Sequence, residues 1–250
     1  SDLRSSHPLT FFIKPTFENL DKKTFVTHAF SFAKRDLQDV SQNDLVKCFD
    51  HWHDLQVYEN QKVIDYIQNL EIDILIDCMG FTSASRIEIF NSRISKIQIS
   101  WLAYCNTLGL ETVDYLLADN NLIYKEEEKY YSEEIIRFPE IWNSHSGFNF
   151  DRNYNLSPVN ERKFITFGSF GNFRKISDET IEVWSKILNN IQGSKLILKS
   201  SVNFHIEGLL SKFEKFGVED QIKIINRLDF QNIKDHLNLY NRIDIGLDTF

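Results

Sequence analysis

Phe167-Gly-Ser-Phe-Gly-Asn-Phe-Arg-Lys-Ile-Ser-Asp178 is the stretch from which the fold is read. It follows the apolar run Lys163-Phe-Ile-Thr-Phe167, which reads as a buried strand, and it leads into a segment with Ile181, Trp184, Leu188 and Ile191 on one helical stripe. Gly168 and Gly171 loosen the turn between them, and Ser177 or Asp178 can cap the helix. A helix start presents unpaired N–H groups and partial positive charge, and Lys175 adds a full charge beside it. By itself this turn fits an ordinary strand–helix connection with a solvated lysine as well as a clamp for an anionic group.

The same alternation runs outward in both directions. On the amino-terminal side, Phe25–Phe32 reads as a strand, Gln61–Leu70 as an amphipathic helix, and the runs around Ile74, Ile99, Leu116 and Ile136 as further strands. On the carboxyl-terminal side, strands at Phe164, Leu196 and Ile224 alternate with helices over Ile181–Ile191, Ile206–Phe216 and Ile233–Tyr240, before a last strand over Ile243–Phe250. Strands alternating with helices imply parallel sheets covered on both faces, an α/β class. The polar, aperiodic residues 146–162 read as a linker between an amino-terminal Rossmann-like half, 1–145, and the start of a second, 163–250. In open sheets of this kind ligands sit at the carboxyl ends of the strands, where Lys175 falls. No G-x-G-x-x-G follows a strand, which argues against a nicotinamide dehydrogenase, and no 34-residue repeat is present.

Composition narrows the class further. With 250 residues and 42% hydrophobic content the chain can bury a core without staples. Its net charge of −8 and lack of a basic stripe argue against nucleic acid as a partner. Cys48, Cys78 and Cys105 have neither disulfide nor metal spacing and read as small hydrophobes in a reducing, cytoplasmic setting. The apolar runs are too short to span a membrane, and no signal peptide is evident. His51 and His53 lack partners at metal spacing, so no metal is expected. Lys199 ends a strand where it can either face the cleft or stand as a solvated lysine, the latter fitting better, and Glu126–Glu128 reads as a helix surface.

Three stretches together resemble glycosyltransferase family 41, the family of the O-GlcNAc transferases and the plant SPINDLY proteins, particularly its bacterial members. They are Ser6-His-Pro-Leu-Thr10; the run from Ile72-Asp-Ile-Leu-Ile-Asp-Cys-Met-Gly-Phe-Thr82 through Arg86, Ile97-Gln-Ile-Ser-Trp-Leu-Ala-Tyr104 and Asp114-Tyr-Leu-Leu-Ala-Asp119 to Tyr131-Ser-Glu133; and Phe167 through Leu196-Ile-Leu-Lys-Ser200 and Asp235-His236 to Phe250. The resemblance implies a GT-B arrangement, two Rossmann-like halves with mostly parallel sheets, truncated here at both ends. It implies an inverting transfer of a sugar, with GlcNAc from UDP-GlcNAc as the leading donor, to Ser or Thr hydroxyls of a protein acceptor. No metal cofactor is expected; the donor is the nucleotide sugar itself, and GDP-fucose, or a degenerate scaffold module without activity, are the alternatives.

Residue by residue, the resemblance makes Lys175 the diphosphate-binding lysine and Asn172 an amide near the nucleotide. His7 matches the active-site histidine, although beside Pro8 it also fits a helix start, and His236 matches a histidine near the base. Gly80 and Thr82 match a Gly-Tyr-Thr turn on the acceptor side, with Phe81 replacing the tyrosine. Thr107 and Gly109 survive from a donor-side loop whose Pro-Gly pair is here Cys105-Asn106. Tetratricopeptide repeats upstream are expected from the family. The chain alone is expected to be inactive, because a nucleotide-holding loop would follow Phe250.

Overall fold

The computed structural model describes Leu3 and residues 7–33, 40–82, 85–147, 156–200, 206–226 and 233–249. Ser6 and Phe250 of the motifs lie outside these. The chain divides into two compact units, Ser1–Phe148 and Asn149–Phe250.

In the first unit α1 (Pro8–Glu18), β1 (His28–Ser31), α2 (Val40–Val46), β2 (His51–Asp54) and α3 (Asn60–Asn69) precede four strands, β3 (Ile74–Asp77), β4 (Ile97–Ser100), β5 (Tyr115–Ala118) and β6 (Glu134–Arg137). The four form one parallel sheet in the order β3-β4-β5-β6. Val63, Ile64 and Ile67 of α3, spaced three and four apart, close over Leu75, Ile89 and Phe90. Arg86 braces the neighbouring loops: its guanidinium donates to Asn60 Oδ1 at 2.7 Å and to the carbonyl of Tyr58 at 2.6 Å.

The strand expected over Phe25–Phe32 is shorter, and it pairs in parallel with β2, which periodicity does not announce because its residues are His51, Trp52, His53 and Asp54. A carboxylate fixes where this pair begins. Asp50 Oδ2 accepts the backbone N–H of Thr27 at 2.8 Å and its hydroxyl at 2.7 Å, and Asp50 N donates back to Thr27 Oγ1 at 3.0 Å. The backbone bond first, and the hydroxyl second, hold the Asp50 carboxyl down from 3.8 to about 2. A folded-state pKa below the unfolded one stabilises the fold above the unfolded pKa, and that contribution fades as pH falls from 3.8 toward about 2. Thr27→Val removes the hydroxyl but keeps the amide, so the Asp50 midpoint should rise part of the way back; a carboxyl-carbon NMR titration of wild type and variant reads it directly.

In the second unit α4 (Val159–Arg162), β7 (Thr166–Ser169), α5 (Asp178–Asn190), β8 (Lys195–Lys199), α6 (Ile206–Glu214), β9 (Ile222–Ile225), α7 (Ile233–Asn238) and β10 (Ile245–Gly246) follow. The strands form a parallel sheet in the order β10-β7-β8-β9. Ile181, Trp184 and Leu188 are buried against Phe167, Leu196 and Leu198, as their stripe requires, with Ile191 partly buried beside them. Within residues 146–162, α4 is tied to this unit, since Asp244 accepts Val159 N at 2.8 Å and the Ser157 hydroxyl.

The last strand is much shorter than the expected Ile243–Phe250. Its partner β7 ends at Ser169, so the ladder has nothing to bond beyond Leu247 N, which donates to Gly168 O at 2.8 Å. Gly168 is required at this crossing: a Cβ there would sit 2.5 Å from Ile243 Cγ2 and 3.2 Å from Phe170 Cζ.

Candidate active site

The turn after β7 is built on one aromatic anchor. Phe173, 1% exposed, enters the core against Ile181 and Trp184, while Asn172, Arg174 and Lys175 on either side of it face solvent. Asn172 Oδ1 accepts Arg174 N at 3.1 Å and Asn172 O accepts Lys175 N at 2.9 Å, which winds Phe173–Lys175 into a single 3-10 turn. Of the two possible caps for α5, Ser177 is the one used, its Oγ accepting Thr180 N at 3.1 Å. Asp178 and Glu179 occupy the first turn of α5, and Asp178 pairs with Lys212 at 2.6 Å. The helix start expected to receive an anion is therefore furnished from within the chain. The positive charge offered at the turn is that of Arg174 and Lys175.

Beside this turn, at the carboxyl ends of β7 and β8, stands a second group. Phe170 meets Tyr240 edge-on with ring centroids 5.0 Å apart, and His236 lies 6.4 Å from Phe170 and 6.0 Å from Tyr240, also edge-on. Lys199, read from sequence as a solvated lysine, is instead part-buried with its Nζ 2.9 Å from His236 Nδ1. Thirty-seven residues separate the two, so no local pattern signals their contact.

In the first unit, the turn after β3 is pinned by a buried carboxylate. Asp77 accepts Met79 N at 3.1 Å and Gly80 N at 2.6 Å. Burial pushes its carboxyl above the ordinary value, and the two amides pull back against that. Gly80 sits at φ 52°, and a Cβ there would collide with Cβ and Cγ of Tyr104. This is where glycine is required, because L side chains strain at that φ and the loop after β4 leaves no room. Thr82 donates its hydroxyl to Met79 O at 2.7 Å, and Phe81 packs edge-on against Tyr104 at 5.6 Å. Close by in sequence, buried Leu102 holds φ 102°, a conformation that non-glycine residues rarely adopt and that concentrates at working sites. Sequence carries no sign of it.

His7 caps α1, with Nδ1 accepting Leu9 N at 3.3 Å. An imidazole that accepts at Nδ1 carries its proton, when neutral, at Nε2. Thr107 and Gly109 lie elsewhere. The Thr107 hydroxyl donates to Glu133 Oε2 at 2.7 Å, Leu108 N donates to Glu133 Oε1 at 2.6 Å, and Gly109 N donates to Thr107 Oγ1 at 3.1 Å. Glu133 directly precedes β6, so this knot belongs to the amino ends of the strands, the opposite edge from Gly80 and Thr82.

A cavity of about 460 Å³ lined by Arg162, Phe164, Thr166, Lys195, Lys223 and Arg242 opens at the amino ends of β7 and β8; parallel sheets bind ligands at the other edge. His28 Nδ1 and His53 Nε2 lie 3.0 Å apart as a hydrogen-bonded pair, with His53 Nδ1 2.8 Å from the Tyr66 hydroxyl. Burial lowers both pKa values, followed by a nearby histidine, His51 for His28 and His28 for His53. Among the described residues no three His, Cys, Asp or Glu side chains are arranged to hold a metal ion.

Residues 1–147 match the family described as Glycosyl transferase family 41. A probable UDP-N-acetylglucosamine–peptide N-acetylglucosaminyltransferase SPINDLY of Oryza sativa subsp. japonica is 28% identical over 252 residues, which cover 98% of this chain and 27% of that protein. Its namesake in Eustoma exaltatum subsp. russellianum is 32% identical over 203 residues, 80% of this chain and 22% of the relative. The chain thus spans only a minor part of the curated relatives it matches. Among solved structures, a lysine-to-methionine mutant of the Thermobaculum terrenum O-GlcNAc transferase superposes with a TM-score of 0.88 at 25% identity, over 99% of this chain and 46% of that one. The lipopolysaccharide outer core galactosyltransferase WaaB shares the fold at a TM-score of 0.52 and 14% identity.

Proposed function

Because the chain belongs to glycosyltransferase family 41, we propose that the protein transfers a sugar from a nucleoside diphosphate to Ser or Thr hydroxyls of proteins, with inversion at the anomeric carbon and UDP-GlcNAc as the donor. The observation that carries this is the turn after β7, where a buried Phe173 holds Arg174 and Lys175 outward at the carboxyl edge of the second sheet. As the bond to the sugar breaks, negative charge gathers on the diphosphate, and a fixed ammonium stabilises that charge without a metal. Phe170, His236 and Tyr240 supply the aromatic surface for the base. Asn172 shapes the turn through its side-chain bond to Arg174 N.

In the first unit, Gly80 and Thr82 form the acceptor-side turn, held by Asp77. His7, protonated at Nε2 when neutral, acts as a hydrogen-bond donor toward the sugar rather than as a base through Nδ1. Thr107 and Gly109 serve the donor side by setting the path of the loop that carries Cys105 and Asn106. The location proposed is the cytoplasm, on the ground that Cys48, Cys78 and Cys105 are free thiols. Upstream tetratricopeptide repeats would recruit the acceptor.

Calorimetric titration of the full-length protein with UDP and with GDP tests the nucleotide assignment. UDP should bind in preference. A preference for GDP would transfer the reading to a GDP-sugar donor, and failure of both to bind would remove the nucleotide site.

A further inference from the structure

At the amino edge of the second sheet, away from Lys175, four cationic side chains line one cavity. Arg162 ends α4, Lys195 opens β8, Lys223 stands in β9, and Arg242 ends the 3-10 turn Leu239–Arg242 that leads toward β10. The chain carries 36 acidic residues against 28 Lys and Arg, so chance alone would set carboxylates among these four. The cavity has one, Asp220, and it pairs with none of them. Arg162 and Lys195 donate instead to the backbone carbonyls of Arg242, at 3.2 Å, and Asp220, at 3.1 Å. Among the described residues none of the four is in an ion pair, and like charges gathered in this way repel one another. Asp244, the next carboxylate, is already occupied by the backbone N–H groups of Val159 and Thr166, each at 2.8 Å. Thr166 of β7, 1% exposed, belongs to the cavity wall, and its hydroxyl is buried without a hydrogen-bond partner. An orphaned buried hydroxyl destabilises the fold until something bonds to it.

We propose that this cavity is a second anion site, which takes a phosphorylated small molecule with an apolar, ring-bearing body. At about 460 Å³ it falls in the size range of small-molecule sites, ~300–1,000 Å³. Two guanidinium groups present forked donors that match phosphate oxygens, and two ammonium groups add point charges. Phe164, Ile197 and Ile222 give the cavity an apolar wall for the rest of the molecule, and the Thr166 hydroxyl is the donor set among them. The site is separated from the edge that holds Lys175 by the length of β8, 5 residues or about 16 Å at ~3.3 Å per residue, so its ligand is not the sugar donor. Helix starts with their free N–H groups gather at the carboxyl edge of a parallel sheet; at this edge side-chain charge takes their place. The inference stands independently of the transfer reading.

Calorimetric titration of the full-length protein with phenyl phosphate and with inorganic phosphate tests this. Wild type should bind phenyl phosphate, and more tightly than inorganic phosphate, because the ring adds apolar contact. Reversing two exposed charges, Lys223→Glu with Arg242→Glu, should weaken phenyl phosphate at least about a hundredfold. The single neutral change Lys223→Gln should weaken it about tenfold, and Thr166→Val by a similar factor, the size of one hydrogen bond to a charged group. Without ligand, Thr166→Val should melt no lower than wild type, since the hydroxyl it removes has no partner. Lys175→Ala should leave phenyl phosphate binding unchanged. Failure of the wild type to bind phenyl phosphate, binding that survives both the charge reversal and Lys223→Gln, or binding lost with Lys175→Ala would overturn the proposal. Equal affinity for the two probes would overturn the organic ligand and assign the site to free phosphate.

Discussion

Lys175→Ala in the full-length protein should slow sugar transfer about 100- to 1000-fold, the usual loss when one preorganised stabiliser of developing charge is removed. Lys175 is exposed on a turn whose shape depends on Phe173 and on the backbone bond from Lys175 N to Asn172 O, and neither involves the lysine side chain. The variant should therefore fold as the wild type does, and its loss should appear in kcat and kcat/KM together, since the charge it stabilises exists only as the diphosphate leaves. Arg174 adjoins it and supplies a remaining positive charge, which puts the loss in this range and not at abolition. Steady-state rates with a nucleotide sugar and a protein acceptor decide it, and a variant with wild-type rates would remove Lys175 from the mechanism.

Phe173→Ala should cost about 3–5 kcal/mol of folding stability, the range for truncating a large buried aromatic. The side chain is 1% exposed and packs with Ile181, Trp184, Leu188 and Leu198, so a cavity would open between α5 and the sheet. It also anchors the turn, and without it Asn172, Arg174 and Lys175 lose the point that holds them in register. Denaturant melts should show the stability loss, and nucleotide affinity measured well below the midpoint should fall as well. Phe173→Leu should recover most of the stability. A Phe173→Ala protein that melts like the wild type would contradict the packing of this turn.

The parts of this fold that were legible in the sequence are those with a local period or a local chemical sign. Ile181, Trp184 and Leu188 announce α5 because they repeat at helical spacing, and Ser177 announces its start because a hydroxyl there can take Thr180 N. The strands around Ile74, Ile99, Leu116 and Leu196 are runs of branched and aliphatic residues and were found where expected. β2 was not, because His51-Trp-His-Asp54 shows no strand pattern and is held through Thr27 and Asp50, 23 residues apart. β10 is shorter than the run Ile243–Phe250 suggests because a strand's length depends on its neighbour, and β7 ends at Ser169.

The site divides in the same way. The Gly-containing turn and Lys175 lie in one short motif, so their place at the carboxyl edge could be read directly. Lys199 with His236, and Thr107 with Glu133, are polar contacts between distant segments, which leave no trace in local spacing. Leu102 at φ 102° is a property of the folded loop alone.

Intact-mass and fragment spectrometry of a protein acceptor, after incubation of the full-length protein with UDP-GlcNAc, reads the proposed transfer itself. An N-acetylhexosamine added on Ser or Thr hydroxyls is expected, accumulating about 100- to 1000-fold more slowly with Lys175→Ala. An acceptor unchanged in mass with UDP-GlcNAc and with every other nucleotide sugar would contradict it.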